Sequence, residues 1–92
     1  MSSTVQHLKI RGRVQGVGYR WSLTQAAREL GLTGWVRNRR DGSVEAMVAG
    51  PRDAVDRLVD WARRGPAGAS VDDVEVLAGE GRFEGFEQRP TE

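Results

Sequence analysis

The period of the hydrophobic pattern switches back and forth along this chain, and the order of the switches restricts the fold more than any other feature. From Val5 to Val14, the residues Gln6, Leu8, Ile10, Gly12 and Val14 alternate with Val5, His7, Lys9, Arg11 and Arg13. A period of two marks a half-buried strand, here with its charges on the solvent face. After a glycine-containing loop, Ser22 and Gln25 have the form of a capping box. Leu23, Ala26, Ala27 and Leu30 then follow at helical spacing as far as Gly31, so a first helix is expected over about Ser22 to Leu30. Thr33 to Asn38 reads as a strand, Arg39-Arg40-Asp41-Gly42 as a turn, and Ser43 to Ala49 as a strand with Val44, Ala46 and Val48 on one face. Asp-Gly between two such runs signals a hairpin. Gly50-Pro51 opens a second helix, whose stripe of Val55, Leu58, Val59 and Ala62 stops at Gly65-Pro66. Val71 to Ala78 is a fourth strand, and Phe83, Phe86 and the residues after them suggest a short edge strand.

The resulting order, β-α-β-β-α-β, predicts an α+β ferredoxin-like sandwich in which two helices cover one face of an antiparallel sheet. Right-handed crossovers narrow the topology further. With 92 residues there is room for one domain, expected over 1–92 with its core at about 5–89. No apolar run reaches the roughly 18 residues of a membrane span, and the first residues lack a signal-peptide layout, so a cytoplasmic protein without a membrane partner is expected. The absence of Cys excludes a disulfide framework, thiolate metal sites and cysteine nucleophiles. His7 is the sole histidine, which excludes histidine-cluster metal sites. No metal and no cofactor is expected. The fold plan itself hosts enzymes, RNA binders and regulatory modules, so the function has to come from local residues.

The charges are unevenly spread. Residues 1–40 carry eight Lys and Arg against a single acid, Glu29, while residues 41–92 carry six Arg against twelve acids, and the net charge is +1. If the fold groups the front-half arginines, they attract anions in a way the total conceals. The segment with the most chemical content, Gly-Arg-Val-Gln-Gly-Val-Gly-Tyr-Arg at 12–20, lies between the first strand and the first helix. Gly16 and Gly18 let the backbone take conformations denied to other residues, so that successive N–H groups can converge on one point, a concavity that suits an anion. The helix start that follows favours a phosphate-sized anion, and Arg20 can offer it two parallel hydrogen bonds. Two glycines alone are a weak signal. Trp21 stands where a dinucleotide fingerprint needs its third glycine, and no Gly-Lys-Ser/Thr follows, so neither nucleotide loop is present.

The segment at 12–20, followed by Gly-Trp-Val-Arg-Asn-Arg-Arg-Asp-Gly-Ser-Val-Glu at 34–45, resembles the acylphosphatase family. The similarity continues through Gly-Pro at 50–51, Arg-Gly-Pro at 64–66 and Phe-Glu-Gly-Phe at 83–86. The resemblance implies a ferredoxin-like fold and hydrolysis of the mixed anhydride of acyl phosphates to a carboxylate and inorganic phosphate, without a metal. It implies that Arg20 binds the phosphoryl group, that Asn38 holds the attacking water, and that the loop from Gln15 to Tyr19 is the phosphate cradle. Arg39-Arg40 and the bulky Trp21 depart from the family's usual residues, and they bear on substrate range.

Elementary chemistry agrees with what the resemblance implies. An acyl phosphate releases a carboxylate that needs no proton, so positioning and charge stabilisation suffice. A loose transition state spreads charge over equatorial oxygens that the loop amides and Arg20 can receive, and Asn38 can orient a water through its carbonyl and amide. Outside such motifs, an arginine at a helix start is ordinarily a surface residue and an asparagine before a turn merely begins it. Tyr19 reads as packing with a functional backbone N–H, and Trp35 and Trp61 as core or half-buried aromatics. His7 reads as solvent-facing, and Arg11, Arg13, Arg37, Arg39 and Arg40 as a solvated basic rim. Two other functions fit the same order of elements. One is a non-catalytic anion-binding or carbamoyl-phosphate-handling domain, similar to the N-terminal part of hydrogenase maturation proteins, which are large chains with downstream cysteines. The other is an RNA-binding module, whose sheet-face aromatics the first and third strands lack. The expected partners are a small-molecule acyl phosphate and phosphate or other anions, with no nucleic acid, and the expected state is a monomer.

Overall fold

A computed structural model of the chain describes residues 3–92. Its elements run β1 (Ser3–Arg13), α1 (Tyr19–Glu29), β2 (Thr33–Asn38), β3 (Val44–Pro51), α2 (Arg52–Arg64), β4 (Ser70–Ala78) and β5 (Phe86–Gln88). They form one sheet in the order β4-β1-β3-β2-β5, with β1 antiparallel to β3 and β4, and β2 antiparallel to β3. The expected order and the two-helix sandwich hold. The sheet is mixed rather than purely antiparallel, because β5 returns alongside β2 in parallel over Gly34↔Phe86 to Val36↔Gln88.

One sheet face meets the helices. Leu8 and Ile10 of β1, Val36 of β2, and Val44, Ala46 and Val48 of β3 are fully buried against Leu23 and Ala27 of α1 and Val55, Leu58 and Ala62 of α2. The alternation read in the sequence therefore selects the core face. Arg28 fastens α1 to the sheet edge by donating from Nε and Nη2 to the Phe86 carbonyl at 3.2 and 2.8 Å.

The first helix begins three residues earlier than the capping-box reading placed it. Gly18 precedes it in the left-handed region at φ 77°, no side chain caps it, and the Ser22 amide donates to the Gly18 carbonyl at 3.0 Å, so Ser22 lies inside the helix. Packing decides this. Tyr19, Leu23 and Ala27, spaced by four, are the buried stripe, and Tyr19 is drawn into the first turn.

The opposite face, open to solvent, carries an ionic cluster that the sequence reading took for a solvated rim. Arg37 and Glu45 are register partners on β2 and β3, and their side chains are only 17% and 11% exposed. Glu45 accepts hydrogen bonds from Arg37 Nε at 2.7 Å and shares one with His7 Nε2 at 2.6 Å, so His7 is held against the sheet rather than solvent-facing. The Arg37 and Arg89 guanidinium groups lie 4.6 and 4.9 Å from the Trp35 ring centroid and close over an indole that is 7% exposed. Trp35 and the half-buried Trp61 therefore fit their expected places.

Burial alone would raise the Glu45 pKa, but the hydrogen bonds and charges of Arg37 and His7 outweigh it and hold the carboxyl below its ordinary value. A carboxyl whose folded-state pKa is depressed adds stability above its unfolded pKa and loses it as the pH falls through the folded-state value. Glu45→Gln is expected to cost about 1 to 3 kcal/mol at pH 7. Urea unfolding should show the gap between wild type and variant narrowing steadily below about pH 4. A gap independent of pH would show that the charge of Glu45 does not stabilise the fold.

Candidate functional site

The path of the backbone decides which residues meet. In the sheet β3 lies between β1 and β2 and is antiparallel to both, so β1 and β2 run in the same direction and end at the same edge. Ile10, Val44 and Asn38 form one row across the three strands, through the pairs Ile10↔Val44 and Asn38↔Val44. Ile10 and Val44 face the helices, and the alternation that buries Val36 carries Asn38 to the same side. Asn38 thus closes the strand next to the loop that leaves β1.

That loop is shaped by two glycines. Gly16 and Gly18 have φ of 75° and 77°, and a Cβ at either position would meet nothing within 4 Å. Conformation, not space, requires glycine at both. Among the described residues, Gln15 to Gly18 donate from no backbone amide to another backbone group, and the amides of Tyr19 to Trp21 belong to the first turn of α1, before the first intrahelical bond at Ser22. The loop and the helix start therefore present a run of free N–H groups.

A shallow cleft of about 130 Å³ brings these parts together, lined by Val14, Gly16, Gly18, Tyr19, Arg20, Trp21, Asn38 and Gln88. Arg20 makes no ion pair among the described residues. Asn38 Oδ1 is buried and accepts no hydrogen bond among the described residues. Such a group is expensive to leave unmet, and here it is an acceptor at a cleft that also contains an unneutralised guanidinium. The arrangement suits an anion bonded to a small polar molecule.

Of the residues singled out in the sequence, Gly16, Gly18, Tyr19, Arg20 and Asn38 line the cleft, whereas Gln15 and Val17 do not. Val17 packs partly against the core. Gln15 turns its side chain the other way, and its Nε2 donates to the carbonyls of Arg39 and Ser43 at 2.7 and 2.9 Å. It ties the cradle loop to the β2–β3 turn, which is closed in turn by Arg39 N to Ser43 O at 2.8 Å and by the Asp41 carboxylate accepting from the Ser43 amide and hydroxyl. Those two bonds from Ser43 hold the Asp41 carboxyl below the ordinary range. Tyr19 anchors the helix start. Its ring is buried and its hydroxyl donates to the Ala62 carbonyl on α2 at 2.7 Å, while burial pushes the phenol pKa up, so the side chain is a structural pin.

Gln88 was missed in the sequence. It reaches the cleft because β5 pairs with β2 opposite Val36, and a three-residue strand leaves no periodic signal. Among the described residues no group of three His, Asp or Glu side chains gathers as metal ligands. Among the described residues no helix is long and apolar enough to cross a membrane.

The family model for acylphosphatase matches residues 6–88. The chain is 54% identical over 91 residues to the acylphosphatase of Acidovorax sp. (strain JS42), an alignment spanning 98% of this chain and 94% of that one. It superposes on the solved acylphosphatase of Coxiella burnetii with a TM-score of 0.91 at 38% identity, covering 95% of this chain and 93% of the other. A structure of full-length HypF in its phosphate- and nucleotide-bound form matches with a TM-score of 0.89 at 22% identity, covering 98% of this chain but 12% of that one, a likeness of fold alone.

Gln15→Ala should lower stability by about 1 to 2 kcal/mol in urea unfolding, since it leaves two carbonyls without their donor. Amide exchange across Arg39 to Ser43 should quicken at the same time. Unchanged exchange there would show that the turn holds its shape without Gln15.

Proposed function

Because the chain belongs to the acylphosphatase family, we propose that the cleft at the ends of β1 and β2 is where it hydrolyses acyl phosphates, with Arg20 and the 15–20 loop binding the phosphoryl group and Asn38 holding the attacking water. The observation that carries this assignment is the meeting of the unneutralised Arg20 with the unpartnered, buried Asn38 Oδ1 in one cleft.

The phosphoryl group sits in the loop, its oxygens receiving the backbone N–H groups of residues 15–20 and the Arg20 fork. Gln15 takes part through its backbone alone. Asn38 accepts a hydrogen bond from a water and orients the water's oxygen towards phosphorus. The water oxygen bonds to phosphorus as the bond from phosphorus to the acyl oxygen breaks, and the bonding pair leaves with the carboxylate. The water's proton passes to a phosphoryl oxygen, so no side chain need act as a base. A carboxylate is stable unprotonated, so none need act as an acid. The charge that accumulates on the equatorial oxygens meets donors already in place, which is the most effective form of electrostatic catalysis. No cofactor enters this scheme.

The rest of the proposal is a cytoplasmic monomer whose partners are a small acyl phosphate and phosphate or other anions, without a nucleic-acid or membrane partner. The open sheet face supports the absence of a nucleic-acid partner, since the Glu45 cluster occupies it and Trp35 is covered by two guanidinium groups rather than free to stack on a base.

Benzoyl phosphate hydrolysis, followed by ultraviolet absorbance in the presence of EDTA, tests the residue roles. Arg20→Lys should lower kcat/KM by ~10²-fold or more and weaken inhibition by inorganic phosphate, because a point charge cannot reproduce the fork. Asn38→Ala should lower kcat by ~10²-fold while leaving phosphate inhibition nearly intact. Near-normal turnover in Arg20→Lys would remove that side chain from the mechanism, and equal loss of phosphate binding in Asn38→Ala would make Asn38 a residue that shapes the cradle.

A further inference from the structure

Trp21 follows Arg20 in the first turn of α1 and is 63% exposed, the most exposed large apolar side chain among the described residues. A single exposed indole needs no explanation by itself. Its position gives it one. Trp21 lines the cleft together with Arg20 and Asn38, and it also lines a second groove that continues between α1 and α2 past Ala26, Trp61 and Pro66. It is the residue that both depressions share, so its indole, with Ala26, Trp61 and Pro66 beside the polar Ser22 and Gln25, begins a groove where the phosphoryl site ends. The groove carries one charged group, the carboxylate of Glu29.

We propose that Trp21 is a specificity-determining residue, a platform on which the acyl group of the substrate lies, and that it selects acyl phosphates with flat, apolar acyl groups over small ones. This rests on the assignment of the cleft to acyl phosphate hydrolysis. With phosphorus fixed by the loop and Arg20, the acyl group has to leave the cleft at its rim. An aromatic acyl group that turns towards α1 covers the indole and gains the contact energy of an aromatic pair. An acetyl group is too small to reach across the ring.

The test uses two unreactive phosphonates in which a methylene replaces the bridging oxygen, one with a phenyl ketone and one with a methyl ketone. Calorimetry should show wild type binding the phenyl compound about two- to tenfold more tightly than the methyl compound, the size expected of one aromatic contact. Trp21→Ala should bring that ratio close to one, and Trp21→Phe should keep most of it. Because the ratio is taken within each protein, any general weakening of the site cancels. In hydrolysis, the benzoyl-to-acetyl ratio of kcat/KM should fall by the same factor in Trp21→Ala, with the change in KM. A ratio near one in wild type, or one that survives Trp21→Ala, overturns the proposal. A wild type that binds both phosphonates with the expected ratio yet hydrolyses neither acyl phosphate supports the platform and defeats the hydrolytic assignment instead.

Discussion

Everything at the cleft depends on β3 lying between two strands that run the same way. The crossover from β1 through α1 to β2 leaves a gap in the sheet, and β3 fills it antiparallel to both. The ends of β1 and β2 are thereby brought to the same edge, one releasing the glycine loop and α1, the other finishing at Asn38. Ligands in sheets of this kind collect at the carboxyl ends of parallel strands for the same geometric reason. The sequence separation between Arg20 and Asn38 is closed by the sheet register, through the row of Ile10, Val44 and Asn38. Gln15 then locks the two segments across the start of β3, donating to carbonyls on both sides of the turn.

The two faces of the sheet divide the work. The inner face is an apolar core that pins the first turn of α1 through the buried Tyr19, so that the helix start, with its free amides, holds a fixed position at the cleft. The outer face is held by charge instead, with Glu45 bonded to Arg37 and His7 and with Trp35 under two guanidinium groups. Arg20, by contrast, has no carboxylate partner among the described residues. The separation fits the sequence's uneven charge. The front-half arginines are not one field: Arg37 is consumed by structure, while Arg20 lines the cleft with no carboxylate beside it.

Much of this was legible in the residues. Alternation in Val5–Val14 identifies β1 because a sheet with one buried face imposes it, and the stripe of Val55, Leu58, Val59 and Ala62 identifies α2 for the corresponding helical reason. Asn38 was legible through its motif, and the structure adds why it faces inward, two positions beyond the buried Val36. Local signals failed where tertiary packing outweighed them. Ser22 and Gln25 look like a capping box, yet burial of Tyr19 starts the helix at the glycine that ends the loop. Arg37 and His7 look solvated on an alternating strand, because the carboxylate that takes them lies on a different strand. Nothing local announces what the side chain of Gln15 does, because its partners are carbonyls 24 and 28 residues away. Gln88 is brought to the cleft by a strand too short to leave a pattern.

The central claim is that water held beside Asn38 attacks phosphorus rather than the acyl carbon, and isotope placement tests it directly. Benzoyl phosphate should be turned over by the enzyme in water enriched in oxygen-18, under conditions where uncatalysed hydrolysis is negligible, and both products examined by mass spectrometry. The account predicts one labelled oxygen in the inorganic phosphate and none in the benzoate. Label in the benzoate would mean that the bond from the acyl carbon to oxygen is the one broken, and the roles given to Arg20 and Asn38 would be wrong.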